Sequence, residues 1–111
     1  MEEIINVRNE TQFNRLVAHQ TVLIQFWAKW CVPCRSQLAI IESVQEDHLL
    51  SAGVLVAKVN VDENPKLVTR FNIDTIPTIL VFRNGKMTKR FTGIQGAETL
   101  LAAVNEPALA K

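Results

Sequence analysis

Val22-Leu23-Ile24-Gln25-Phe26-Trp27-Ala28-Lys29-Trp30-Cys31-Val32-Pro33-Cys34-Arg35 is the stretch whose reading decides the fold. Its first half, Val22 to Ala28, is a nearly continuous apolar run, as a central strand covered on both faces requires. After the cysteines, Leu38, Ile41 and Val44 recur at helical spacing through about His48. Cys31 and Cys34 therefore stand where a buried strand turns into a helix.

Upstream, Ile4-Ile5 reads as a short edge strand. Asn9 caps a helix with Gln12 placed to reach back, and Phe13, Leu16 and Val17 form its buried stripe. Downstream, Val54 to Val61 reads as a second central strand. Asn64-Pro65 supplies an N-cap and a first-turn proline for a short helix containing Leu67, Val68 and Phe71. Thr78 to Phe82 is a third apolar strand, Asn84-Gly85 a hairpin signal, and Met87 to Phe91 the return strand. A last helix starts near Ala97, shows Leu100, Leu101 and Val104 on one face, and ends before Pro107.

The order β-α-β-α-β-α-β-β-α predicts an α/β fold with a mixed five-stranded sheet flanked by four helices. Its parallel strands need right-handed crossovers, and the hairpin adds an antiparallel edge. Nothing repeats and no linker interrupts the pattern, so the 111 residues (1–111) read as one domain around one core.

Apolar residues at 48% and charged residues at 21% describe an ordinary globular chain, and a net charge of +1 provides no field for nucleic acid or anionic lipid. The apolar runs stop short of the roughly 20 residues of a membrane span. The acidic start Met1-Glu2-Glu3 is followed by no signal-type apolar run, so a cytoplasmic location is expected.

The chain has 2 cysteines, three positions apart. So short a loop cannot staple a fold, and in a reducing compartment such a pair points to redox or metal chemistry. At a helix start, free N–H groups and the positive dipole end favour the thiolate, the form that attacks disulfides. A thiol with pKa near 8.5 is only about 3% ionised at pH 7, whereas one near 7 is about half ionised. Spacing makes Cys31 the more exposed, attacking sulfur and Cys34, a turn inward, the resolving one. Pro33 suits the first helical turn, where its missing N–H costs nothing, and stiffens the loop. Three other readings stand beside this one: a zinc half-site, two buried structural cysteines, and a redox domain kept only for binding. Zinc needs further ligands, and only His19 and His48 are on offer.

These residues resemble the thioredoxin family. The match runs through Phe26-Trp27-Ala28-x-Trp30-Cys31-x-Pro33-Cys34 and Val59-Asn60-Val61-Asp62-x-Asn64-Pro65. It continues at Ile76-Pro77-Thr78, Phe82-x-Asn84-Gly85-Lys86 and Gly93. The resemblance implies a thioredoxin fold with a substrate groove beside Cys31, lined by Trp30, Ile76, Pro77, Gly93 and Ile94. Pro77 matches the family proline that follows a cis bond and faces the cysteines, leaving the Ile76 backbone free to pair with an extended substrate. It implies a protein-disulfide reductase, an electron carrier of cell redox homeostasis, that binds no cofactor and no metal and carries its redox activity in the Cys31–Cys34 disulfide. Its implied partners are a flavoprotein thioredoxin reductase, through which NADPH is used indirectly, and disulfide-containing substrates such as ribonucleotide reductase, methionine sulfoxide reductase and peroxiredoxins. No nucleic acid or membrane partner is implied, and the chain is expected to be a monomer.

The chain departs from the family pattern at several positions. Gln25 stands where a buried Asp usually accepts the proton of the resolving thiol, and an amide cannot take up a proton near neutral pH. Removing that negative charge predicts a lower Cys31 pKa and slower resolution. Lys58 matches a lysine that lies near the missing carboxylate; it is expected to turn to solvent, favour the Cys34 thiolate at longer range, or snorkel. Val32 replaces the usual Gly between the cysteines and stiffens the turn, which bears on redox potential and substrate range. Ala39 replaces a helix-kinking proline, and Arg35 keeps the positive charge after Cys34. Gln25 and Val32 sustain an alternative, a binding or scaffold module with weak or specialised turnover. An oxidant or isomerase of an oxidising compartment would need an export signal.

Overall fold

The computed structural model describes residues 4–105. In chain order they form β1 (Ile5–Val7), α1 (Glu10–Val17), β2 (Thr21–Trp27), α2 (Val32–Glu46), β3 (Leu55–Asn60), α3 (Pro65–Arg70), β4 (Thr78–Arg83), β5 (Lys86–Thr92) and α4 (Ala97–Asn105). This is the order that the apolar periodicity predicts; Pro107 lies outside the described residues. The five strands make one sheet in the order β1-β3-β2-β4-β5. β1 and β2 flank β3 in parallel, β4 runs antiparallel to β2, and β5 returns antiparallel to β4.

β2 is buried from Val22 to Phe26 without a break. Strand alternation sends Val22, Ile24 and Phe26 to one face and Leu23 and Gln25 to the other. On the first face these side chains pack with Phe13 and Val17 of α1 and Leu67 of α3. On the second, Leu23 packs with Ile41 of α2 and Leu100, Ala103 and Val104 of α4. Helices on both faces are what a sheet whose central strand is buried on both sides demands.

Three phenylalanines knit the first face. Phe13 lies 5.3 Å from Phe71 and 5.6 Å from Phe82, centroid to centroid, and the last two are 5.8 Å apart. The Arg70 guanidinium covers Phe13 and Phe71 and pairs with Glu10 at 3.0 Å. Between β4 and β5 the turn holds Asn84 at φ 50° and Gly85 at φ 89°, the two left-handed residues of a type I′ hairpin. The outer strand β5 exposes Lys86, Lys89 and Arg90, charges that discourage pairing with another sheet edge.

Local detail departs from expectation in four places. Asn9 accepts the Gln12 N–H at 2.8 Å, but the Gln12 side chain reaches past Asn9 to the Arg8 N–H at 2.6 Å. Asn64 makes no side-chain cap to α3. Its Nδ2 instead donates to the Asn60 carbonyl at 3.0 Å, a buried acceptor at the end of β3 that also takes the Glu63 N–H at 3.2 Å. On α4 the buried side chains are Leu100, Ala103 and Val104, with Leu101 half-buried. α2 runs unbroken through Ala39 and stops at Glu46, before His48 at φ 56°.

Phe13→Ala is expected to cost about 3–5 kcal/mol, since it removes a wholly buried ring that anchors the aromatic cluster. Urea unfolding should show a lower midpoint with an unchanged slope.

Candidate active site

β2 ends at Trp27, and the chain turns through Ala28, whose carbonyl accepts the Cys31 N–H at 3.1 Å. Cys31 is the N-cap of α2, in extended conformation at φ −93° and ψ 102°. Its Sγ accepts the Cys34 N–H at 3.2 Å, the bond a Ser or Asp oxygen makes in an ordinary cap. Pro33 occupies the first turn, where no N–H is missed. Arg35 bends back to donate from Nη1 to the Lys29 carbonyl at 2.7 Å, closing the loop over the helix start. A sulfur in this position receives both an N–H dipole and the positive end of the helix, and both stabilise it as an anion.

Cys31 and Cys34 are joined as a disulfide, with Cα atoms 5.3 Å apart. Cys34 is fully covered and Cys31 retains 5% exposure. Cys31 is thus less open than expected, because Ala28, Trp27, Val61 and Ile76 pack around the pair. What access exists still belongs to Cys31.

Two further loops meet the helix start. The Ile76 carbonyl lies 3.9 Å from Cys31 Sγ, and the Ile76–Pro77 bond is cis. The Pro77 carbonyl accepts the Gly93 N–H at 2.8 Å, which sets the turn after β5 beside it. Gly93 holds φ 81°, a conformation that favours glycine. Ile94 is exposed next to it, as are Trp30 and Val32 across the opening. The residues that the sequence nominated for a groove, Trp30, Ile76, Pro77, Gly93 and Ile94, therefore come from three loops that converge on Cys31. Trp30 is tethered by its Nε1, which donates to Asp62 Oδ2 at 3.0 Å.

Gln25 is wholly buried. Its Nε2 donates to the Cys34 carbonyl at 3.0 Å, tying the central strand to the helix. Its Oε1 and the Trp27 Nε1 are buried without a protein hydrogen-bond partner. Lys58, level with Gln25 across the β2–β3 pair, is half-buried, and its Nζ sits over the Trp27 ring at 4.8 Å. An ammonium over an indole face is held by the ring quadrupole.

Two participants escaped the sequence reading. Asp62 anchors Trp30 from a loop far along the chain, and no spacing rule relates the two. Gln37 is fully buried on α2. It falls at three and four residues from Cys34 and Ile41 on the buried stripe, so helical periodicity carried a signal there. Among the described residues no group of three or more His, Cys, Asp or Glu gathers to hold a metal ion. Nor is any helix among them long and apolar enough to cross a membrane.

Residues 4–106 match the family model described as Thioredoxin. The chain is 31% identical over 103 residues to the thioredoxin of Chlamydia caviae, covering 93% of this chain and 98% of that protein. It is 44% identical over 81 residues to the thioredoxin of Alicyclobacillus acidocaldarius, covering 73% and 75%. Among solved structures, a mutant thioredoxin from Halobacterium salinarum superposes with a TM-score of 0.85 at 25% identity, covering 98% of this chain and 94% of that one. The thioredoxin of Malassezia sympodialis superposes with a TM-score of 0.84 at 26% identity, covering 96% and 91%.

Brief iodoacetamide treatment of the reduced, folded protein is expected to label Cys31 and spare Cys34 until the chain is unfolded. Peptide mapping reads the outcome, and equal labelling would contradict the burial difference.

Proposed function

The chain belongs to the thioredoxin family and is a thiol–disulfide oxidoreductase, and from that premise we propose that Cys31 is its nucleophile and Cys34 its resolving thiol. The observation that carries the assignment is the sulfur cap: only Cys31 Sγ receives the Cys34 N–H at the helix start, and only Cys31 retains exposure.

In the reduced protein the Cys31 thiolate attacks one sulfur of a substrate disulfide. An intermolecular S–S bond forms, the substrate S–S bond breaks, and the departing sulfur leaves as a thiolate that takes up a proton. Cys34 then loses its proton and attacks Cys31 Sγ. The intramolecular disulfide forms, and the second substrate sulfur leaves and is protonated. The dithiol has been oxidised by two electrons and the substrate disulfide reduced by two.

The Ile76 carbonyl and the exposed side chains of Trp30, Val32 and Ile94 support an extended substrate segment lying across Cys31. Pro77 and Gly93 set the edge of that track. Gln25 holds the helix by a neutral hydrogen bond, so the Cys34 proton passes to water or to the departing thiolate rather than to a carboxylate. Lys58, placed over Trp27, supplies positive potential to the same layer.

Electrons return to the disulfide from a dithiol reductant. In the family this is a thioredoxin reductase that draws on NADPH, and the relatives' identity supports the same partner here. Protein disulfides of reductases and peroxiredoxins are the corresponding substrates, met by a cytoplasmic monomer carrying electrons. One sheet with helices packed on both faces supports reading the chain as a single domain.

Cys31→Ser should abolish dithiothreitol-driven insulin reduction, whereas Cys34→Ser should accumulate the mixed disulfide, visible as a mass adduct; retained turnover in Cys31→Ser would overturn the assignment. Gln25→Asp introduces a buried carboxylate whose charge opposes a nearby thiolate, so the Cys31 pKa should rise. The rate of alkylation against pH reads that shift, and an unmoved profile would sink the electrostatic argument.

A further inference from the structure

Gln37 uses both ends of its buried amide on one residue of a distant loop. Its Oε1 accepts the Gln95 N–H at 2.7 Å and its Nε2 donates to the Gln95 carbonyl at 2.9 Å. A side chain thus pairs with the backbone as a neighbouring strand would. The Gln95 side chain extends the network, its Nε2 donating to the carbonyls of Thr92 at 3.2 Å and Gly93 at 3.3 Å. The Gly93 N–H in turn reaches the Pro77 carbonyl. A continuous series of amide bonds therefore links the cysteine-bearing helix to both other walls of the groove.

The segment that Gln37 holds is otherwise fixed at its ends, by the Gly93 N–H on the Pro77 carbonyl at 2.8 Å and the Leu100 N–H on the Gly96 carbonyl at 3.2 Å. Residues 93–96 join β5 to α4 with a glycine at each end, Gly93 at φ 81° and Gly96. Ile94, the apolar side chain on this wall, is 47% exposed, so its own burial gives little restraint. Gln37 is 0% exposed and sits on α2 one turn beyond Cys34, outside the cysteine cluster.

We propose that Gln37 is a positioning residue that locks the Gly93–Ile94 wall of the groove to α2, and so sets affinity for extended protein disulfide segments without altering the thiol chemistry of Cys31. The proposal rests on the exchange reading above. Protein substrates, which lie along the wall, feel its loss; a small disulfide that meets only the sulfur does not.

The test compares insulin with dithionitrobenzoate, a small aromatic disulfide, using the full chain. Insulin turnover is driven by dithiothreitol with the protein-free rate subtracted, and dithionitrobenzoate meets the pre-reduced protein freed of dithiothreitol, which would reduce it directly. Gln37→Met keeps the length of the side chain and deletes both hydrogen bonds. Its KM for insulin should rise about tenfold, equivalent to about 1.4 kcal/mol, with kcat and the dithionitrobenzoate rate unchanged. Gln37→Glu adds a signature that packing alone would not produce. As the neutral acid it both donates and accepts, and it restores the pairing with Gln95; as the carboxylate it faces the Gln95 carbonyl and loses it. The insulin-to-dithionitrobenzoate ratio, in which the thiolate fraction cancels, should therefore approach wild type as pH falls and drop as pH rises. If Gln37→Met fails to fold, as circular dichroism would show, the pH profile of that ratio decides alone. An unchanged insulin KM in Gln37→Met, a parallel fall for both disulfides, or a flat ratio in Gln37→Glu overturns the positioning role. A wild-type protein inert toward both disulfides overturns the exchange reading itself.

Discussion

Burial of β2 on both faces is the constraint from which the rest follows. A strand buried from Val22 to Phe26 cannot lie at an edge or face water, so β3 and β4 must flank it and helices must cover it above and below. Where the buried run stops, the chain has to leave the sheet at once, and it does so through Ala28 into α2. The cysteines occupy that exit. Cys31 is positioned by the end of the buried central strand, and its sulfur takes the place of a capping oxygen on the helix that follows.

The layer beneath the cysteines is built from neutral amides. Gln25 ties the central strand to α2 through the Cys34 carbonyl, and Gln37 ties α2 to the loop after β5. A buried amide avoids the desolvation cost of a buried charge, although the Gln25 Oε1 has no protein partner. The nearby cation, Lys58, is held over the Trp27 ring. A thiolate formed at Cys31 therefore depends on the helix N–H groups and dipole for its stabilisation, and protons leaving Cys34 have no carboxylate in Gln25 to receive them.

Strand and helix order was legible because apolar patterning is local: continuous apolar runs mark the buried strands and apolar repeats near 3.6 residues mark the helices, whatever they pack against. The Asn84-Gly85 turn was legible for the same reason, since two left-handed residues leave few alternatives. Asn64 and Gln12 show where local reading gives out. Both stand at proper cap positions, yet the Gln12 side chain bonds the Arg8 N–H and the Asn64 side chain the Asn60 carbonyl, neither being the group that the cap pattern names. The Asp62 tether on Trp30 and the Gln37–Gln95 pair were out of reach for a stronger reason, since each joins segments brought together only by the finished sheet.

The sequence by itself determined the order and type of the elements and the strand-to-helix position of the cysteine pair, because apolar patterning is local and N-cap position follows from the chain order alone. Only the tertiary structure decided how covered Cys31 is, that the Lys58 ammonium lies over Trp27, and that Gln37 pairs with Gln95. Those outcomes depend on contacts between residues tens of positions apart. Side-chain amides and carbonyls choose among partners by what the packed interior leaves unsatisfied, and that is fixed only once the sheet has assembled.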